Sequence, residues 1–145
     1  MRNLIAPLVT ALLLATPKLV LACVIFPHEP SHVFKYSDSL VLAQPLEISP
    51  APDEAGRLKG ESSYQQTVTW RVLKTWKGSL AEGDTFLTES RINTSVPCSG
   101  WNVIRDYEAK ILHSMEGSSL ELYYAVHVDS VAPQLDALKK DWAGE

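Results

Sequence analysis

Cysteine is scarce in this chain: there are two, Cys23 and Cys98, among 145 residues. No CxxC pair occurs, which leaves no mark of a thioredoxin-like redox centre or of a paired-cysteine zinc site. The HExxH, GxSxG, GxxxxGKS/T and GxGxxG patterns are missing too. With them go the sequence marks of zincins, α/β-hydrolases, P-loop nucleotide binders and dinucleotide-binding folds, and the chain is read as a binding protein without enzymatic activity. Positive charge is also short, with 13 Lys and Arg against 17 Asp and Glu, so a phosphate backbone is a poor partner and no nucleic acid is expected. No internal repeat is visible.

Long apolar runs are limited to one. Arg2 precedes a mostly apolar stretch from Leu4 to Leu21 that ends in Val20-Leu21-Ala22. A basic n-region, an apolar h-region and a small residue at the end describe a secretory signal peptide over residues 1–22. Pro7, Pro17 and Lys18 interrupt the run, which favours cleavage over membrane spanning. Removal of this segment takes Arg2 and Lys18 and no acid, leaving 11 basic and 17 acidic side chains and a formal charge of −6. The expected product is one secreted or periplasmic domain over residues 23–145, long enough for its own core. Export places both cysteines where disulfides persist, and one bridge with no thiol left over is the simplest count.

Period-two alternation gives the clearest element. Val68, Trp70 and Val72 alternate with Thr67, Thr69 and Arg71, a half-buried strand within Tyr64–Trp76. A short helix is expected within residues 27–38, started by Pro30 and Ser31. Residues 39–48 read as a strand whose Pro45 implies an edge or a bulge, and residues 49–63 as an exposed loop. A turn follows at 77–84, a short strand at 85–90 and a loop at 91–100. Residues 106–115 and 120–128 flank "EGSS" as a hairpin. Near the end, Leu135, Leu138 and Trp142 form a helical stripe suited to docking on the barrel. The sum is a mainly β fold, a five-stranded OB-like Greek-key barrel with a short N-terminal helix and a C-terminal helix.

Few side chains offer chemistry. His28 and His32 are four apart, but Pro30 between them argues against one continuous helix carrying both as metal ligands. His127 and Asp129 would share a strand face and are explained as well by a surface strand end. Trp70 falls in the apolar phase of its strand and reads as core, whereas Trp70, Trp76, Trp101 and Trp142 as base-stacking platforms conflict with the acidic charge. Asn93-Thr94-Ser95 is a glycosylation sequon that matters only in a eukaryotic source. Cys98 as a nucleophile would need a free thiol beside a base.

Cys23 stands apart because of where it lies. Cleavage after Ala22 makes it the first residue of the mature chain, with a free α-amine whose pKa near 8 leaves a neutral fraction at physiological pH. That amine and the carbonyl of the same residue can chelate one metal ion in a five-membered ring. A bridge to Cys98 would hold the chelate rigid and lower the entropy cost of binding. The stretch "VLAC" also approaches a bacterial lipobox. Lipidation of the thiol would anchor the protein to the cell envelope and exclude the bridge, and acylation of the amine would exclude the chelate.

The order and spacing of "CVIFPHEPSHVFKYSDSLVLA", "YQQTVTWRVLKTWKG", "SVPCSG" and "YEAKIL…GSSLELYYAVHVDSVAPQLDALKK" resemble the tissue inhibitors of metalloproteinases, netrin-like OB barrels. The likeness spans nearly all of residues 23–142, in the form of a simplified, single-domain relative of bacterial type. Ile25, Lys35 and Ala125 stand where the family has cysteines, and Pro97 is an insertion before Cys98. The resemblance implies that the mature N-terminal cysteine ligates the catalytic zinc of a target protease. Cys23, Val24, Ile25, Phe26 and Pro27, with Ser95, Val96 and Cys98 beside them, would then form the inhibitory ridge, with Val24 entering the specificity pocket. Such a protein carries no cofactor of its own and acts as a monomer on a zinc metalloprotease. The alternative is an exported netrin-like module that binds other proteins without inhibiting them, in contact with a membrane only if Cys23 is lipidated.

Overall fold

The computed structural model describes residues 28–55, 62–93, 103–123 and 128–144. The chain is mainly β, with a helix α1 (Pro30–Tyr36) leading into β1 (Ser37–Ser49), a single turn α2 (Pro52–Ala55), then β2 (Ser63–Lys77), β3 (Thr85–Asn93), β4 (Lys110–Met115), β5 (Glu121–Leu122) and α3 (Val128–Trp142). The five strands form one antiparallel sheet in the order β3-β2-β1-β4-β5. Three consecutive strands with the fourth returning beside the first is the Greek-key arrangement. The sheet curls into a half-barrel.

The strands β1 and β4 read as unbroken apolar runs because both of their faces are covered. Along β1, Leu40 joins Val33, Phe34, Trp76, Ile111, Tyr123, Val131 and Leu135 on the helix side of the sheet. Its neighbours Val41 and Ala43 join Val68, Trp70, Val72, Ile104 and Leu112 inside the curl. A strand buried on both faces loses the apolar-polar alternation, as "SLVLA" and "KIL" do. In β2 the alternation persists through Val72, as expected, and then changes phase. Leu73 is bulged out of register between Val72, opposite Ala43, and Lys74, opposite Leu42. One extra residue turns the rest of the strand over, so Trp76 packs with the helices although its parity matches that of Val72.

That change of phase builds the seat of α3. Asp136 accepts hydrogen bonds from Trp76 Nε1 at 2.8 Å and from Lys74 Nζ at 2.5 Å, and these two donors hold its carboxyl below the ordinary aspartate range. Lys139 Nζ donates to the Thr75 carbonyl at 2.7 Å. The helix begins at Val128, inside the segment expected to be strand, and carries Pro133 in its interior. The Val128, Val131, Ala132, Leu135 and Leu138 stripe, packed on the helix-side core, offsets the roughly 3 kcal/mol that an internal proline costs. Trp142, expected on this stripe, remains 61% exposed, its ring centroid 6.2 Å from that of Phe34 in an edge-to-face contact.

Local signals account for the remaining boundaries. Pro30 occupies the first turn of α1, where its missing N–H costs nothing. Pro45 sits beside the bulge at Leu46, beyond the last β1 residue paired with β4, so both readings of that proline hold. The fourth strand starts only at Lys110 because the Asp106 carboxylate accepts the Glu108 N–H at 3.0 Å and binds Lys110 at 2.7 Å, closing a turn ahead of it. Glu116 and Gly117, both with positive φ, form the turn expected after β4, and the Gly117 N–H donates to Asp38 at 2.8 Å. The expected loop at 49–63 contains the turn α2.

Candidate functional site

The residues expected to form a ridge, Cys23, Val24, Ile25, Phe26, Pro27, Ser95, Val96 and Cys98, lie outside the described residues, as do the signal segment 1–22, Trp101, Ala125 and His127. What the structure describes is how the chain is held where these segments meet the fold.

His28 follows Pro27 directly. Its carbonyl accepts a hydrogen bond from the Tyr123 hydroxyl, 95 residues away in sequence. Tyr123 lies just beyond β5, is 5% exposed, and donates its own N–H to the Ile111 carbonyl at 2.8 Å. Its ring meets His113 edge to face at 5.8 Å, and His113 Nδ1 lies 3.5 Å from Ser37 Oγ. Burial raises the Tyr123 phenol above its usual range, with the Glu29 carboxylate acting in the same direction, so it remains a proton donor. Burial lowers the His113 imidazole. Glu121, its cross-strand partner, opposes that shift, and His28 adds to it. A neutral imidazole and a protonated phenol therefore stand behind the His28 carbonyl.

A second clasp holds the chain after the other segment. Gln66, 1% exposed, donates from Nε2 to the Ile104 carbonyl at 3.0 Å and accepts the Ile104 N–H on Oε1 at 2.8 Å. Both polar ends of one buried amide are thus spent on one residue of the 103–105 segment. On the near side of the same segment, Ile92 of β3 is buried.

The Gln66 clasp borders the open seam of the half-barrel, whereas Tyr123 belongs to the helix-side core. Thr88 and Ser90 of β3 face Leu120, Glu121 and Leu122 across a cavity of about 60 Å³ that Gln66 and Ile104 also line. Trp70 closes its floor, with Nε1 donating to Thr88 Oγ1 at 2.8 Å. That volume holds about two waters and falls well below the several hundred Å³ of a small-molecule pocket. The seam is therefore an edge to which the 103–105 segment is attached, not a cleft that encloses a ligand.

The histidine pair behaves as its intervening proline suggests. The helix starts at Pro30, leaving His28 outside it, yet the two exposed rings stack at 5.1 Å and Tyr36 continues the row at 4.6 Å from His32. Among the described residues, no group of three or more His, Cys, Asp or Glu is placed to hold a metal. Asp129 sits in the first turn of α3 and not on a strand face. Tyr123 and Gln66 escape a reading of the sequence. A polar residue in an apolar phase of a strand, as Gln66 is, is the one available signal. No helix among the described residues is long and apolar enough to cross a membrane. Compared with protein families, with curated proteins and with solved structures, the chain finds no match in any of the three.

Proposed function

We propose that this chain is a secreted metalloendopeptidase inhibitor-like protein whose mature N-terminal Cys23 supplies its amine and carbonyl to the zinc of a target protease. The residue-level chemistry of Cys23 and the resemblance of the sequence to netrin-like inhibitors suggest this role. The observation that carries it is the Tyr123 clasp on the His28 carbonyl. An inhibitor of this kind needs its first residues presented on a fixed support, because each degree of freedom lost on docking weakens binding. Here the support is a buried tyrosine just beyond β5, tied by its N–H to Ile111 of β4, that holds the residue following the segment.

The second strut is the Gln66 clasp, which fastens the chain beyond residues 94–102 to the inside of the half-barrel. Cys23 is five residues from His28, and Cys98 is five from Asn93, so each cysteine is within about 17 Å of an anchored residue. A bridge between them would tie the two segments into one ridge, with no pocket needed. The inhibitor contributes ligands to an open position of another protein's zinc and holds no metal itself.

The test is inhibition of a zinc endopeptidase by protein that starts at Cys23, compared with protein carrying one extra residue ahead of it, alongside the intact mass of the exported chain with and without reduction. The expected result is a mass matching residues 23–145 with thiols that appear only on reduction, and inhibition abolished by the extra residue. Added acyl mass would establish a lipid-anchored protein instead. Equal activity of both forms, or none, would leave the exported binding module as the reading.

A further inference from the structure

The Tyr123 hydroxyl does something that neither packing nor strand pairing needs. The ring alone fills its place in the helix-side core with Val33, Val131 and Leu135, and the backbone N–H of the same residue already completes the ladder to Ile111. The hydroxyl reaches past both, to the carbonyl of His28 in the lead-in to α1, outside any regular element. Behind it stands His113, a buried histidine for which the zinc-binding chemistry of Cys23 has no use.

We propose that Tyr123 is the positioning residue of the lead-in to α1, holding it through the His28 carbonyl, with His113 as the support that keeps the phenol aimed. This inference rests on the inhibitor reading for its purpose but not for its geometry. The hydrogen bond joins a donor on the rigid sheet to an acceptor one residue from Pro27, so its loss frees the lead-in to α1 and leaves the sheet intact. In α1 the Val33 N–H donates to the Glu29 carbonyl at 3.0 Å, so loosening at His28 reaches the first turn of the helix.

His113 makes the clasp sensitive to acid. It is 7% exposed and, among the described residues, has one polar neighbour at hydrogen-bond range, the Ser37 hydroxyl at 3.5 Å. Among the described residues, the charged or titratable groups facing this cluster are Glu121 and Tyr123 from β5 and its end, and His28 and Glu29 from the lead-in. From β1 come Ser37 and Leu40, neither charged, and α1 and α3 add Val33, Val131 and Leu135. Glu121 and Glu29 are both exposed and compensate a buried imidazolium weakly. Protonation therefore draws water or Glu121 toward the ring and disturbs the edge that supports Tyr123. The folded-state pKa lies below the unfolded one, so the clasp is complete above about pH 6.5 and weakens as pH falls from there toward the folded value.

Hydrogen exchange of the full mature chain tests this, read at the amides of residues 28–33 and, as a reference, in β1 and β2, from pH 5 to 8 with the intrinsic pH dependence removed. Tyr123→Phe keeps the ring and deletes the hydroxyl. It should raise exchange at residues 28–33 about tenfold, the effect of one hydrogen bond, and leave the β1 and β2 amides unchanged. Wild-type protection at residues 28–33 should fall with acid, and His113→Gln, which keeps a polar group toward Ser37 but cannot ionise, should remove that pH dependence. Equal exchange in wild type and Tyr123→Phe overturns the proposal. So does a pH profile that His113→Gln leaves in place, a result readable even if Tyr123→Phe fails to fold. Inhibition assays on the same proteins separate the two readings. Loosened exchange with no inhibition by any form sinks the inhibitor reading alone, and intact inhibition with unchanged exchange in Tyr123→Phe sinks the positioning role alone.

Discussion

Gly78 shows how much a single residue can decide. It follows β2 with φ of 104°, and a Cβ there would lie 2.5 Å from Ser39 Oγ and 3.1 Å from Ser39 Cα. Gly83 in the same turn also has positive φ but opens onto free space. Gly78→Ala combines a left-handed backbone with a clash on β1 and is expected to cost about 2 kcal/mol in denaturant unfolding. Gly83→Ala should cost less, since only the backbone contribution applies. In the sequence, "KGSLAEGD" reads as a turn with two equivalent glycines; the difference between them comes from Ser39, far earlier in the chain.

At the scale of elements, α3 depends on the phase change in β2. Leu135 is fully buried against the sheet, whereas Trp142 lies mostly in solvent with Lys77 Nζ 5.8 Å from its ring. Leu135→Ala is expected to cost about 3 kcal/mol, and Trp142→Ala less than about 1 kcal/mol, measured by denaturant unfolding of each variant. The reverse order would mean that the helix docks by its end. The first four strands are present within a few residues of their expected limits, because side-chain period and turn chemistry are local; the strand expected over 120–128 is described only as Glu121–Leu122, and Val128 at its end is helical. The bulge at Leu73 is not legible, since register is a property of the pair of strands and nothing in "WRVLKTW" marks which residue is left out. The start of α3 is hidden for a related reason: Pro133 reads locally as a helix opening, and the burial of Val128 and Val131 that extends the helix past it is supplied by the sheet.

For the whole molecule, the decisive contacts are those that fasten irregular chain to the half-barrel. Gln66 and Ile104 are 38 residues apart, and their two hydrogen bonds are buried. Gln66→Leu removes both partners of Ile104 and strands its N–H and carbonyl away from water. A loss of about 2–3 kcal/mol in unfolding is expected, with faster proteolysis around residues 103–105. A stability close to wild type would mean that water replaces the amide and that the segment is not held by it. Of the candidate site, the expected role of Cys23 follows from the chemistry of an N-terminal cysteine, while Val24, Ile25, Phe26 and Pro27 with Ser95, Val96 and Cys98 enter only through the resemblance to the inhibitor family. Their supports are not legible, because Tyr123 and Gln66 look like ordinary strand residues until the fold brings His28 and Ile104 to them.

Residue order alone carries the mainly β class, the helix on either side of the strands, most strand positions, the acidic charge and the place of Cys23 after an apolar run. Each follows from the residue types within a short window, through side-chain period, proline and glycine geometry, or formal charge. Folding in three dimensions is what buries β1 and β4 on both faces, assigns Trp76 to the helices, and sets a tyrosine hydroxyl and a glutamine amide to hold irregular stretches of the chain. Those are pairings between residues tens of positions apart, and their partners are selected by sheet order and register, which no local stretch of chain encodes.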